Sequence, residues 1–110
     1  MEINSMKSIH VLADAFDRMM VQLPQRTYRR CGYRPTYLRA MVAEQHGVQV
    51  AKMLLAKPVT SSGFMELLLR GAVDLTVEAL VTLPRWRSLF TAAELAIAES
   101  RLQSMIAQAA

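Results

Sequence analysis

Apolar residues along this chain recur at spacings of three and four, and no segment alternates with period two. That pattern predicts helices and no strand. Ile9, Leu12, Ala13, Phe16, Met19, Met20 and Leu23 form one stripe, with Lys7, Asp14, Asp17 and Arg18 mostly off it. The stripe predicts a first helix capped by Ser5 and stopped near Leu23, because Pro24 has no N–H to continue the ladder. Residues 24–34 are polar, basic and broken by Gly32, and read as a connecting loop with room for a helical turn. Pro35 suits the first position of a second helix, whose buried face is Tyr37, Leu38, Met41 and Val42. Gly47 after His46 reads as the left-handed cap ending that helix. A third helix is expected over 48–56 on Val48, Ala51, Leu54 and Leu55, ended by Pro58. Ser62 is placed to cap a fourth, with Phe64, Leu67 and Leu68 inward and Gly71 marking its stop.

Residues 71–90 organise the rest. Asp74 is expected to cap a central helix over 75–83, with Glu78 also near its positive end. Val77, Leu80 and Val81 recur at helical spacing, and Leu75, Ala79 and Leu83 widen the apolar surface until little of it is polar. Such a helix belongs in the centre. Pro84 ends it, and Trp86, Leu89 and Phe90 supply rings and a branched chain to seal the core. Thr91-Ala92-Ala93-Glu94 is a capping box opening a last helix, whose apolar face is Leu95, Ala98, Leu102, Met105 and Ile106. Residues 1–4 and 108–110 are expected to fray. Short helices joined by Gly and Pro turns argue against an up-down bundle. The expected fold is all-α: a compact orthogonal array of five to six helices in one domain over 1–110.

Composition narrows the classes. With 53% apolar residues and a mean hydropathy of +0.19, the chain suits either an efficient helical core or an apolar face covered by a partner. No run reaches the roughly 18 apolar residues of a membrane span, and Asp14 and Asp17 break the N-terminal stretch a secretory signal would need. The one cysteine, Cys31, excludes an internal disulfide and fits a reducing cytoplasm.

The run Gly47-Val48, Ala51-Lys52, Leu54-Leu55, Ser62-Gly63-Phe64, Leu67, Gly71, 74–81, Trp86, 89–91, Glu94-Leu95, Ala98 and Arg101-Leu102 resembles a widespread bacterial family of small uncharacterised helical proteins or terminal domains. The likeness begins near Arg34-Pro35-Thr36-Tyr37 and covers about two-thirds of the chain. It departs at Ala72, where many members carry arginine. The resemblance implies a helical fold and a bacterial, phage or mobile-element origin, but no activity.

Candidate chemistry is sparse. His10 and His46 are far apart in sequence, with no second metal ligand at helical spacing to either. Asp74 and Glu78 stand at i, i+4 like a carboxylate pair, but acids at a helix N-terminus are expected on electrostatic grounds alone. Arg29 and Arg30 would favour a Cys31 thiolate, yet no histidine stands near it in sequence to complete a dyad. No glycine-rich phosphate loop is present. The expectation is therefore a non-enzyme without cofactor or metal, and no small-molecule substrate is evident.

The net charge of +4 sits in one place. Arg26, Arg29, Arg30, Arg34 and Arg39 fall within 24–39 with no acid among them, while the rest of the chain sums to −1. Tyr28, Tyr33 and Tyr37 are interleaved with these arginines. Such a cluster can be a loop that its tyrosines pack while its arginines are solvated or pair with acids of the first helix such as Asp14 and Asp17. It can also meet an acidic protein surface, or hold phosphates by paired donors while tyrosines stack on unpaired bases. The leading expectation is a small interaction module that binds a protein partner or itself through an apolar helix face. Arg26, Tyr28, Arg29, Arg30, Tyr33, Arg34 and Arg39 would rim that face. The alternative is a small basic nucleic-acid-binding protein using the same residues.

Overall fold

A proline does not end the first helix. The computed structural model describes the backbone of residues 2–109 and the side chains of 8–104, 106 and 107; in it α1 runs over Glu2–Cys31 with Pro24 inside. Phe16, Met20, Leu23, Pro24 and Thr27 share one face and are all buried. Stopping at Leu23 would uncover the end of that face. A proline inside a helix costs about 3 kcal/mol; what offsets it is the burial of Pro24 and Thr27 together with the ties that hold the extended end, Arg30 to Asp74 and Arg70 to the Cys31 carbonyl. The start also differs from expectation: no breaker stands in 2–4, and Ser5 lies inside the helix rather than capping it.

The remaining elements are α2 (Thr36–Glu44), α3 (Gly47–Ala56), α4 (Ser62–Leu69), a 3₁₀ turn (Val73–Leu75), α5 (Val77–Val81), a second 3₁₀ turn (Arg87–Leu89) and α6 (Ala92–Ala109). The fold is all-α, with no strand among the described residues. At about 1.5 Å per residue, α1 is long enough to account for most of the 47 Å long axis. It packs on α2 and α3, and α3 and α5 pack in turn on α6. Ile9 and Val11 on the first turns of α1 and Ile106 at the end of α6 are exposed, although Ile9 and Ile106 belong to the expected apolar faces.

Phe16 stands at the centre. Trp86 and Phe90 meet its ring edge-on at centroid distances of 5.3 and 5.4 Å, the arrangement favoured by aromatic quadrupoles. Met20, Val50, Leu55 and Val81 belong to the same core, each almost wholly buried. The 71–90 stretch thus seals the core, as its rings predict.

Three caps fall on other residues than expected. Gly47 opens α3 instead of closing α2, and His46 is the cap, its Nδ1 accepting from the Val48 N–H. Gly47 has no positive φ; its missing side chain matters because a Cβ there would lie 2.9 Å from Asp17 Cα and Met20 Cβ. Ser61, one residue before Ser62, caps α4. Thr76 caps α5, which spans only five residues, and Leu83 is exposed. Asp74 makes no cap, because its carboxylate is taken by Arg30. The capping box forms as predicted: Thr91 N–H donates to Glu94 Oε1 at 2.8 Å, and Glu94 N–H to Thr91 Oγ1 at 3.1 Å.

Candidate functional site

Because α1 continues to Cys31, the basic segment is helical over most of its length, and the helix pitch sorts its residues. Steps of about 100° per residue place Arg26, Arg29 and Arg30 on one flank of α1. Val21, Gln25 and Tyr28 fall on the other, toward α2. Arg30 makes a bidentate pair with Asp74, at 2.9 and 3.0 Å. This hydrogen bond lowers the Asp74 carboxyl below its ordinary value and raises the Arg30 guanidinium. Arg26 donates to Met19 Sδ at 3.1 Å. Among the described residues these cations do not pair with the acids of the first helix: Asp17 accepts from the Gly47 N–H at 2.6 Å, and Asp14 lies 3.5 Å from His46 Nε2.

The turn after α1 is tightly specified. Gly32 takes φ +77°, where a side chain would be strained. Arg70 Nη1 donates to the Cys31 carbonyl at 2.8 Å, satisfying one of the carbonyls a helix end leaves open. The same guanidinium lies 5.4 Å from the centre of the Tyr33 ring, and its Nε bonds Glu66. Arg34 folds back over Tyr28, with its guanidinium carbon 4.6 Å from the ring centroid and Nη2 3.2 Å from the phenol oxygen. Pro35 then precedes α2.

Between the second half of α1 and α2 this leaves a groove of about 650 Å³. Its floor is Val21, Pro24, Val42 and Ala43, and its rim carries Tyr28, Arg34 and Arg39. Val21 is 52% exposed. Among the described residues no Asp or Glu lines it. Of the seven candidate residues, the groove therefore gathers Tyr28, Arg34 and Arg39. Arg26, Arg29 and Arg30 stand on the far flank of α1, and Tyr33 turns to the other side of the 32–35 turn.

On that other side lies a smaller cavity of about 230 Å³, which shares Pro35 and Thr36 with the groove. Leu38, Leu54, Phe64 and Leu67 are among its apolar walls, and Thr27 and Glu78 line it too. Sequence reasoning missed this site by reading Glu78 as a helix-end acid. Glu78 does stand in the first turn of α5, and it is also buried and paired with Arg101, while Asp74 is exposed. The signal was an arginine amid the apolar positions Ala98 and Leu102 of the last helix.

Cys31 is half-buried, and its Sγ donates to the Thr27 carbonyl. Among the described residues no three His, Cys, Asp or Glu converge as metal ligands would, and no helix is long and apolar enough to cross a membrane. Compared with protein-family models, curated proteins and solved structures, the chain matches none.

Proposed function

We propose that the protein is a small non-catalytic interaction module that seats an acidic, partly apolar segment of a protein partner in the α1–α2 groove. One observation carries this reading: the groove has an apolar floor and a charged rim made only of arginines. Apolar floor atoms gain from leaving water with a partner's side chains, and Arg34 and Arg39 favour carboxylates at the edge. Nucleic acid is the weaker reading for two reasons. The rings of Tyr28, Tyr33 and Tyr37 each already carry a cation, from Arg34, Arg70 and Lys57, and Arg30 is neutralised by Asp74.

A photo-crosslinking side chain at Val21, compared with one at exposed Ile97 on α6, tests the reading in cells. The expected result is protein adducts at Val21 alone, mapping to acidic segments and lost in the Arg34→Glu/Arg39→Glu variant. Adducts shared by both positions, or unaffected by the charge reversal, would overturn it. So would oligonucleotide binding that collapses between about 50 and 200 mM salt and depends on Arg26 and Arg29.

A further inference from the structure

The smaller cavity contains polar atoms the fold leaves unused. Glu78 is 4% exposed and accepts at Oε2 from Arg101 Nη1, at 3.2 Å. Its Oε1 makes no hydrogen bond among the described residues. No side-chain nitrogen or oxygen among those residues is both sealed off and unpartnered. Oε1 must therefore open onto space, and the space Glu78 lines is this cavity. Thr27, 1% exposed on α1, stands in the same position: its hydroxyl has no partner among the described residues, and it lines the same cavity. The rest of the wall joins leucines, Phe64 and Val77 to the hydroxyl-bearing Thr36, Ser61, Ser62 and Thr76.

Size and charge then restrict the occupant. A dry apolar cavity of roughly 150 Å³ holds a benzene ring, so about 230 Å³ accommodates one ring and a few further atoms. Glu78 is already balanced by Arg101. A cationic ligand would leave a net positive charge beside the buried Glu78–Arg101 pair and an anionic one a net negative charge, and both are disfavoured. An ionised carboxylate oxygen only accepts, so the ligand has to donate.

We propose that this cavity is a binding site for a free, neutral, single-ring aromatic molecule bearing one O–H or N–H donor, of the phenol or indole class. The donor bonds Glu78 Oε1, and the ring packs among Leu38, Leu54, Phe64 and Leu67. This site is separate from the groove, and its test does not depend on a protein partner.

The experiment is a titration of the full chain with phenol and with indole, read by amide shifts in two-dimensional NMR. Toluene, benzylamine and N-acetyl-tyrosinamide are the comparison probes. Saturable shifts centred on Thr27, Leu67 and Glu78 are expected, with toluene at least about tenfold weaker because it cannot bond a carboxylate. Benzylamine should also bind more weakly. A Cβ at Gly63 would make only ordinary contacts, 3.7 Å from the Tyr33 hydroxyl and 3.8 Å from Ser61 Oγ. Gly63→Leu is therefore expected to fold, fill part of the cavity and weaken phenol at least about tenfold. Should Gly63→Leu fail to fold, the ranking of phenol, toluene and benzylamine on the unaltered chain still decides. No saturable binding of phenol or indole would mean that the cavity holds only water, and would overturn the proposal. Toluene binding as well as phenol, benzylamine binding best, or unchanged affinity in folded Gly63→Leu would each do the same. Tighter binding of N-acetyl-tyrosinamide than of phenol would reassign the site as a socket for a partner's side chain.

Discussion

Arg101 of α6 reaches the carboxylate of Glu78 on α5, placing Nη1 3.2 Å from Oε2 with the two side chains 12% and 6% exposed. The same guanidinium also donates to the carbonyls of Leu54, Leu55 and Lys57 at the end of α3. One side chain thus ties three helices together and supplies donors to the carbonyls at the end of α3, where a helix runs short of partners. Removing it leaves a buried carboxylate without a counter-charge. Arg101→Met is expected to lower stability by about 3–5 kcal/mol, measured by urea unfolding. Glu78→Leu/Arg101→Met should recover much of that loss, since no lone charge remains. A single variant within about 1 kcal/mol of the parent would show that the pair holds little.

Gly47 is where α3 crosses α1. Its N–H donates to Asp17 Oδ1 at 2.6 Å, so an acid from another helix meets one of the free N–H groups at the start of α3. A methyl group here would meet Asp17 Cα and Met20 Cβ at 2.9 Å, and neither is the free end of a flexible chain. Gly47→Ala should therefore cost about 1–3 kcal/mol by overpacking, despite alanine's better helix propensity. Unfolding that shows no loss, or a gain, would mean that the helices separate without penalty.

These two contacts show how far the chain could be read in advance. Local signals were legible: the Thr91–Glu94 box, the stop at Gly71 with φ +72°, and the burial of Trp86 and Phe90. Pro24, Gly47 and Asp74 were misread because their roles depend on other helices. Pro24 stays helical through the burial of its face, Gly47 is small because α1 is close, and Asp74 faces Arg30 across 44 positions. The candidate site was legible as a concentration of arginines. Its division into groove, far flank and cavity was not, because that follows from the helix continuing through residues 24–31.

Arg70 fastens the turn between groove and cavity through the Cys31 carbonyl and the Tyr33 ring. Arg70→Ala should free residues 32–35 while leaving the core intact. Faster amide exchange in that turn is expected, with a global cost of about 1 kcal/mol. Unchanged exchange there would assign the order of the turn to Gly32 and Pro35 alone.

Acid stability should rest partly on Glu94. Burial pushes its carboxyl up, but hydrogen bonds from Lys52 Nζ and the Thr91 N–H, with the Lys52 charge, outweigh this and hold it below its ordinary value. Asp74 is lowered as well, by Arg30. A depressed folded-state value means the stabilisation is complete above the unfolded pKa of about 4 and is lost as pH falls through the folded value. Lys52→Met removes one support and should lower stability near neutral pH by about 0.5–1 kcal/mol, a figure kept small because the pair is partly solvated. As the carboxyl protonates, the parent loses the same contribution, so the two stability curves should converge at low pH. Urea unfolding at about pH 7 and about pH 3 reads this directly. A difference that persists undiminished in acid would show that Lys52 does not act through the Glu94 carboxylate, and would assign its effect to the ammonium over the Phe90 ring, 5.4 Å from the centroid.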